Sequence, residues 1–339
     1  MTFTDNLNKI IKKIDLDQES MASMISEIFS GSITEAQIGA FMAALAVKGE
    51  TFEELAGAAL AMRRKAGRIQ TLSRNVVDTC GTGGDMSNTF NISTTTAFVV
   101  AGCGVTVAKH GNRSVSSQCG SADLLEYLGV SLDVDPEIVE EAVNEIGIGF
   151  LFAPKFHGAM KYAAKARKEV GIRSIFNMLG PLTNPAAASC QLLGVFAPTL
   201  TEMFARALNL LGAKRAFVVH GHNGMDEITL CAPTRVSELK DGLVKSYDLD
   251  PLAYFDGYAS KKDLAGGDVK TNAEITTGIL KGEKGAKRDI VLLNAAAALT
   301  ACETADSISQ GIHMAAEAID SGSAARKLKD LVTFTRENN

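Results

Sequence analysis

The stretch Asp78-Thr-Cys-Gly-Thr-Gly-Gly-Asp85, followed closely by Asn91-Ile-Ser-Thr94, has the pattern of a strand, a glycine-rich turn and a helix start. Glycine permits positive φ and close approach of the backbone to a ligand, and a helix N-terminus favours negative charge. The stretch therefore predicts a phosphate-binding turn. A dinucleotide fingerprint is excluded because Met86 stands where glycine is required, and a Walker A loop is excluded because the chain contains no Gly-Lys pair.

Short apolar runs alternate with helical patterns from residue 75 onward. Strands are predicted at Val76-Val77, Val105–Ala108, Phe150–Phe152, Phe217–Val219 and Ile290–Leu293. Such alternation indicates a mostly parallel central sheet with helices on both faces. The fold class predicted for this part of the chain is therefore α/β.

Residues 1–70 contain only helical patterns, with apolar side chains at three- and four-residue spacing. Two of these helices begin with capping boxes at Thr34 and Thr51, whose partners are the glutamine and the glutamate three residues later. One hydrophobic core rarely grows beyond about 300 residues. We therefore expect a small all-helical N-terminal domain over residues 1–70 and a larger α/β domain over residues 71–339.

Composition and net charge limit the kinds of binding partner and the cellular compartment that we expect for this chain. The 339-residue chain has a formal net charge of -5, which argues against a general nucleic-acid binder. Its six cysteines are dispersed without a Cys-x-x-Cys pair, and the N-terminus lacks the pattern of a signal peptide. The most apolar run, from Ala97 to Ala108, is short and broken by glycines. We expect a cytoplasmic protein with no membrane span.

Three polar loops follow predicted strands, namely Gly81 to Asn91, Lys109 to Ser117 and Gly221 to Glu227. In open α/β sheets, ligands bind beyond the carboxyl ends of the strands, so these loops are expected at one edge. The second loop contains two cations, an amide, three serines and a glycine, a set suited to oxyanions. On its own, this loop is equally well interpreted as a solvated turn.

The third loop contains the consecutive acids Asp226 and Glu227. Mg²⁺ prefers one or two carboxylates together with phosphate oxygens and water. Without context, two acids in a turn are usually surface residues. Beside two oxyanion loops, they predict a metal-diphosphate site.

A helix is predicted from His157 to about Arg173, and Arg167 lies on its apolar face with Met160, Ala163 and Ala164. A guanidinium that emerges from an apolar stripe requires an anion. The residues leave two candidates open, an internal acid or the carboxylate of a ligand.

Taken together, these residues resemble the anthranilate phosphoribosyltransferase family. The resemblance covers nearly the whole chain and rests on Gly81-Thr-Gly-Gly-Asp85, Asn91-Ile-Ser-Thr94, Lys109-His-Gly-Asn-Arg113, Gly120-Ser-Ala-Asp123, the Arg167 helix, Gly180-Pro-Leu-Thr-Asn-Pro185 and Asp226-Glu227. It implies a fold of the nucleoside phosphorylase and phosphoribosyltransferase type, with the substrate cleft between the domains. A helical segment near residues 165–185 would join the helical domain in space, and a homodimer would form through that domain.

The implied reaction transfers the 5-phosphoribosyl group of 5-phosphoribosyl 1-diphosphate (PRPP) to the amine of anthranilate, in tryptophan synthesis. Lys109, Asp226 and Glu227 would be catalytic. Two Mg²⁺ ions per monomer are implied, one held by Ser93 and Glu227 and the other by both acids. The residues implied to bind PRPP are Gly81, Gly84, Asp85, Thr89, Asn91, Ile92, Ser93, Thr94, Lys109, His110, Gly111, Asn112, Arg113, Ser114, Val115, Ser116, Ser117 and Ser121.

By the same resemblance, the residues that contact anthranilate or line its approach would be Gly81, Asn112, Arg167, His110, His157 and Pro181. The chain departs from the family at one place, since Gly158 follows His157 where proline is common. This departure affects the stiffness of that helix start.

Two other functions were weighed. A pyrimidine nucleoside phosphorylase has a similar architecture, but inorganic phosphate does not require the paired acids Asp226 and Glu227. A non-catalytic relative that binds nucleic acid is disfavoured by the acidic balance and by the intact loops.

Overall fold

The computed structural model describes residues 2–114 and 118–338. The chain begins with four helices, α1 (Phe3–Ile11), α2 (Gln18–Phe29), α3 (Glu35–Lys48) and α4 (Phe52–Lys65). Both predicted capping boxes are confirmed, at Thr34 before α3 and at Thr51 before α4. Each box satisfies helix N–H groups that have no partner within the helix.

A seven-stranded sheet follows, with the order β3-β2-β1-β4-β5-β6-β7. Its strands are β1 (Val76–Gly81), β2 (Thr106–Gly111), β3 (Ile148–Phe152), β4 (Cys190–Gly194), β5 (Arg215–Gly221), β6 (Thr234–Lys240) and β7 (Leu243–Leu249). The first five run parallel to their neighbours, and β6 and β7 add an antiparallel hairpin at one edge. The predicted mostly parallel sheet is confirmed.

The remaining helices are α5 (Ile92–Gly102), α6 (Ser121–Tyr127), α7 (Pro136–Glu145), α8 (Ala153–Phe156), α9 (Lys161–Val170), α10 (Leu200–Leu210), α11 (Val269–Leu280), α12 (Ala286–Ala301), α13 (Ile308–Asp320) and α14 (Ser323–Glu337). None of the helices within residues 2–114 and 118–338 is long and apolar enough to cross a membrane.

Side chains that alternate along the strands build two cores, one on each face of the sheet. On β4, Leu192 packs into the core that contains α5 and α12, whereas Leu193 packs into the core that contains α2 to α4. On β5, Phe217 and Val218 divide in the same way. Buried α9 residues such as Ala163 belong to the second core, so α9 packs with the N-terminal helices. Consecutive apolar residues of this kind on β4 and β5 are typical of strands that are covered on both faces.

Two predictions about secondary structure are wrong in detail. Ile290–Leu293 lies inside helix α12 rather than in a strand. This helix is buried at every position from Ile290 to Leu299, and periodicity alone does not distinguish a short apolar strand from a buried helix segment. Strands β4, β6 and β7 were not predicted.

The helix predicted from His157 is shorter than expected. A 3₁₀ turn over Gly158–Met160 precedes α9, which ends at Gly171 with φ of 65°. Ala164 is exposed rather than part of the apolar face, and Ala166 is buried in its place. Ala163, Ala166, Arg167 and Val170 form the buried face of α9, at the three- and four-residue spacing of an α-helix.

Candidate active site

The three polar loops meet at the carboxyl edge of the parallel sheet, as their positions after β1, β2 and β5 predict. The Asp226 carboxylate reaches across β4 and accepts a hydrogen bond from the Gly83 N–H at 2.9 Å. A Cβ at Gly81 would lie 2.6 Å from Asp226 Oδ2, and one at Gly194 would lie 1.5 Å from the Asp226 carbonyl oxygen. Glycine at the ends of β1 and β4 therefore makes room for the loop after β5.

Three acids gather where these loops touch. The Asp226 N–H donates to Asp85 Oδ2 at 3.3 Å, so the two residues are adjacent. Burial and the nearby Asp85 charge raise the pKa of Asp226 to about 7. Burial raises the pKa of Glu227 well above its usual value, the Asp226 charge adds to this rise, and the Ser93 backbone N–H opposes it. Such a cluster is stabilised by a cation.

The donor set fits Mg²⁺ that is shared with a substrate. Within residues 2–114 and 118–338, no group of three or more His, Cys, Asp or Glu side chains could bind a metal ion by itself. Mg²⁺ seldom uses such a cage, because it usually takes one or two carboxylates and fills its remaining positions with phosphate oxygens and water. Asp226 and Glu227 could supply those carboxylates, and the Ser93 main chain lies beside Glu227.

Lys109 is the buried cation of the site, with 4% of its surface exposed. Its Nζ donates to the Thr79 carbonyl oxygen at 2.5 Å and to Ser93 Oγ at 3.3 Å. Burial lowers the pKa of Lys109, whereas the Asp78 and Glu227 charges raise it. The ammonium is therefore fixed between the end of β1 and the start of α5.

The start of α5 is open to an anion. The helix begins at Ile92 without a side-chain cap, and Asn91 Nδ2 instead donates to the Cys119 carbonyl oxygen at 3.1 Å. Thr94 Oγ1 is buried and has no hydrogen-bond partner among the described residues. The Ile92 side chain lies in the hydrophobic core, so only its backbone faces a ligand. Thr89 pairs with Ala265 in an isolated bridge beside this turn.

The first part of the second loop is bound to two acids of helix α6, Asp123 and Glu126. The Arg113 guanidinium contacts Asp123 at 3.0 Å and Glu126 at 2.8 Å, so its charge is already paired. Ser114 N–H also donates to Asp123, at 3.0 Å. Ser121 Oγ donates to the Asn112 carbonyl oxygen at 3.2 Å. The predicted ligands Val115, Ser116 and Ser117 lie outside the described residues.

Gly84 and Gly111 occupy tight positions in these loops. Gly84 has φ of 74°, which favours glycine. A Cβ at Gly111 would lie 2.3 Å from Ser121 Oγ, so the second loop and the start of α6 are in contact.

Two buried histidines form a pair whose tautomers are fixed by their neighbours. His110 Nδ1 lies 3.1 Å from the Gly180 carbonyl oxygen, which only accepts, so Nδ1 carries the proton. His157 Nε2 then donates to His110 Nε2 at 3.2 Å. Burial lowers the pKa of His110 to about 3 and that of His157 to about 4, so both rings are neutral. His157 Nδ1 is left as a buried acceptor with no partner among the described residues.

Arg167 is half-buried, with its guanidinium 5.9 Å from the centre of the Phe176 ring. Burial lowers its pKa. Across residues 2–114 and 118–338, no acid forms an ion pair with it. Of the two anions left open by the sequence, an internal acid is therefore not found.

One charged residue near the first loop was missed. Arg173 donates to the Gly84 carbonyl oxygen at 3.2 Å and lies 4.0 Å over the Phe196 ring. A single arginine two residues after Gly171 follows no periodic or motif signal that the sequence alone would reveal.

Comparison with known proteins identifies relatives that span the whole chain. The models of the glycosyl transferase family match its helical bundle domain over residues 4–66 and its a/b domain over residues 73–325. An anthranilate phosphoribosyltransferase of Desulfosudis oleivorans is 66% identical, with 99% of each chain covered. That of Syntrophobacter fumaroxidans is also 66% identical, over 98% of this chain and 99% of its own.

Solved structures agree in fold. An anthranilate phosphoribosyltransferase from Thermus thermophilus superposes with a TM-score of 0.92 at 41% identity, over 97% of this chain and 99% of its own. The Saccharomyces cerevisiae protein, solved with PRPP and Mg, has a TM-score of 0.88 at 28% identity and 98% coverage of both chains. The same yeast protein has been solved with 4-fluoroanthranilate.

Proposed function

The chain belongs to the anthranilate phosphoribosyltransferase family, and we propose that it transfers the 5-phosphoribosyl group of PRPP to the amine of anthranilate in tryptophan biosynthesis. The observation that carries this function is the contact of the Asp226 carboxylate with the Gly83 N–H, beside buried Lys109. It joins an acid pair, a glycine-rich phosphate turn and a cation in one site. The products are N-(5-phosphoribosyl)anthranilate and diphosphate.

PRPP is proposed to occupy the edge where the three loops meet. Support comes from the uncapped start of α5, from the positive φ of Gly83 and Gly84 and from the Lys109 ammonium. Backbone N–H groups in such turns and at helix starts bind phosphate oxygens. The proposed PRPP residues within the described chain are Gly81, Gly84, Asp85, Thr89, Asn91, Ile92, Ser93, Thr94, Lys109, His110, Gly111, Asn112, Arg113, Ser114 and Ser121.

Two Mg²⁺ ions are proposed, one held by Ser93 and Glu227 and the other by Asp226 and Glu227. The raised pKa values of both acids support this assignment, because a bound cation relieves their repulsion. When bound, Mg²⁺ supplies charge neutralisation for the diphosphate leaving group.

The reaction breaks the bond between C1 of the ribose and the diphosphate oxygen, which takes the electron pair. The amine nitrogen forms the new bond to C1 and then loses a proton to solvent. An aromatic amine is already neutral near pH 7, so no strong base is required, and the neutral His110 and His157 are consistent with this. The task of Lys109 is to stabilise the charge that leaves with diphosphate.

Anthranilate is proposed to lie against Gly81, Asn112 and Arg167, with His110, His157 and Pro181 on its approach. Arg167 supports this placement, because its guanidinium has no internal acid in the described chain and a carboxylate ligand would supply the missing charge. The His157 Nδ1 acceptor is also buried without a partner in that part of the chain.

We also propose a domain division, an oligomeric state and a cellular location for this chain. The chain is divided into a helical domain over residues 1–70, which α9 joins in space, and an α/β domain over residues 71–339. Exposed Ile11 and Val47 on the helical domain support a homodimer formed through its α1 and α3 surface. Free thiols at all six cysteines support a cytoplasmic location.

A fluorescence assay tests the function directly. Purified protein is mixed with PRPP, Mg²⁺ and anthranilate, and each component is omitted in turn. Anthranilate fluorescence should fall only in the complete mixture, with release of one diphosphate per anthranilate consumed. Absence of consumption, or phosphate-dependent cleavage of thymidine or uridine instead, would overturn the proposal.

A further inference from the structure

We infer that Asp78 is a positioning residue that fixes the loop lining the anthranilate site against the strand that enters the PRPP loop. The inference rests on the proposed function but concerns a residue that touches neither substrate. Asp78 lies in the middle of β1, the strand that precedes the glycine-rich turn, and none of its surface is exposed.

One carboxylate oxygen of Asp78 accepts a hydrogen bond from strand β2, and the other accepts one from the loop Gly180 to Pro185. Oδ1 accepts the backbone N–H of His110 at 3.1 Å, at the end of β2. Oδ2 accepts Asn184 Nδ2 at 2.8 Å, from the loop Gly180 to Pro185. Asn184 Nδ2 also donates to the Ala108 carbonyl oxygen at 2.7 Å, and its Oδ1 accepts the Ala186 N–H at 2.8 Å. These hydrogen bonds fix the orientation of the Asn184 side-chain amide, with its NH₂ toward residue 78. Residue 78 must therefore supply a hydrogen-bond acceptor.

Strand β2 and the loop Gly180 to Pro185 are joined a second time, through the imidazole of His110. Its Nδ1–H donates to the Gly180 carbonyl oxygen at 3.1 Å. Gln191 Nε2 holds the next carbonyl, that of Pro181, at 2.5 Å. The contacts from Asp78 to His110, from His110 to Gly180 and from Asn184 back to Asp78 form a closed ring. Rings of this kind restrict each member more than isolated pairs do.

Burying a carboxylate in the middle of a strand costs free energy, because the charge loses its hydration. Burial raises the pKa of Asp78, and the Lys109 charge and the donated hydrogen bonds oppose that rise. Apolar residues of similar volume are often at least as stabilising as buried charges. Position rather than stability is therefore what the carboxylate contributes.

The variant Asp78→Asn is expected to keep the hydrogen bond from the His110 N–H and to lose the one from Asn184 Nδ2. The amide oxygen will face the His110 N–H, because that main-chain group cannot rotate away. The new amide NH₂ then faces the NH₂ of Asn184, so the hydrogen bond between residue 78 and the loop Gly180 to Pro185 is lost. We expect the KM for anthranilate to rise about tenfold, because the facing amide donors of residues 78 and 184 are left unsatisfied. The KM for PRPP should rise less than that for anthranilate, because the variant also removes the Asp78 charge that favours the Lys109 ammonium.

A matched control is Glu54→Gln. Glu54 is also fully buried and also accepts two N–H hydrogen bonds, from the main chain of Leu16 at 3.0 Å and of Thr51 at 2.9 Å. It lies in the helical domain, where Lys48 supplies a neighbouring charge at 3.0 Å. This variant should lower the melting temperature to a similar extent as Asp78→Asn while leaving the ratio of the two KM values unchanged. It therefore separates loss of position from loss of stability.

The double variant Asp78→Asn with Asn184→Asp reverses donor and acceptor and should recover part of the anthranilate KM. Recovery will be incomplete, because an aspartate at 184 cannot donate to the Ala108 carbonyl oxygen. If Asp78→Asn does not fold, Asn184→Ala tests the same link and should show the same selective rise. Equal changes in both KM values, or no change in either, would overturn the inference. Absence of turnover by the unaltered protein would instead overturn the proposed function.

Discussion

Asp226 and Gly83 are separated by 143 positions in the sequence, yet the carboxylate of one accepts the backbone N–H of the other at 2.9 Å. Strand β4 lies between β1 and β5 in the sheet, so the loop after β5 must cross the end of β4 to make this contact. The hydrogen bond ties the acid pair to the phosphate turn. It also makes the site sensitive to any atom added between them.

Gly81→Ala should reduce turnover by about 10²-fold, because its Cβ would lie 2.6 Å from Asp226 Oδ2 and would displace a carboxylate that we propose to bind Mg²⁺. Steady-state kinetics measures the loss. Gly158→Ala is the matched control, since a Cβ there meets nothing within 4 Å. Equal activity of the two variants would contradict the predicted clash.

Removal of the carboxylate itself should have a similar effect. Asp226→Ala is expected to lower kcat by about 10² or more and to alter the Mg²⁺ concentration required for half-maximal rate. An activity titration with Mg²⁺ at saturating PRPP checks both. Asp133→Ala, which removes an exposed acid that pairs with Lys155, is the control. A normal Mg²⁺ response in the Asp226 variant would remove the metal assignment.

The sequence alone predicted the sheet and the meeting of the three loops, because glycine-rich and charged segments directly follow apolar strands. It failed at Ile290–Leu293, where helix α12 is buried at every position and shows no polar face. It also missed β4, although that strand separates β1 from β5 and brings Gly194 beneath Asp226. A five-residue strand next to a loop gives too short a pattern to identify.

Asp78 shows a different kind of limit. A single acid in a strand next to a glycine-rich turn looks like part of the turn. Its role depends on Asn184, which is 106 positions away, and on the main chain of His110 in the neighbouring strand. Pairings of this range are set by sheet order, and local propensity does not specify sheet order.

Arg167→Ala should weaken anthranilate binding by about 1 to 3 kcal/mol, or about 5- to 150-fold in KM, and leave PRPP affinity nearly intact. The physical reason is that the guanidinium has no acid partner in the described chain and is predicted to pair with the substrate carboxylate. Separate titrations of the two substrates measure the effect. Arg206→Ala is the control, because that arginine also lies over a ring, Phe52, but is paired with Glu202. Equal losses for both substrates would make Arg167 a structural residue.

The histidine pair predicts how stability depends on pH. His157 is 6% exposed, and burial lowers its pKa from 6.5 to about 4. Between these two values the unfolded chain binds a proton that the folded chain does not, so the free energy of unfolding must fall as pH decreases through this window. The full contribution of His157 is about 3 kcal/mol, by the rule of 1.36 kcal/mol per pKa unit.

His157→Phe removes this titration while it keeps an aromatic ring in the site. Urea unfolding between pH 6.5 and pH 4.5 should therefore show a smaller fall in unfolding free energy for the variant than for the unaltered protein. The variant will be less stable at pH 7, because His110 Nε2 loses its donor, so the slope and not the absolute value is the informative quantity. His313→Phe, which replaces an exposed histidine ring on α13, is the control for the loss of a histidine as such. Parallel pH profiles for the unaltered protein and His157→Phe would show that folding does not lower the pKa of His157.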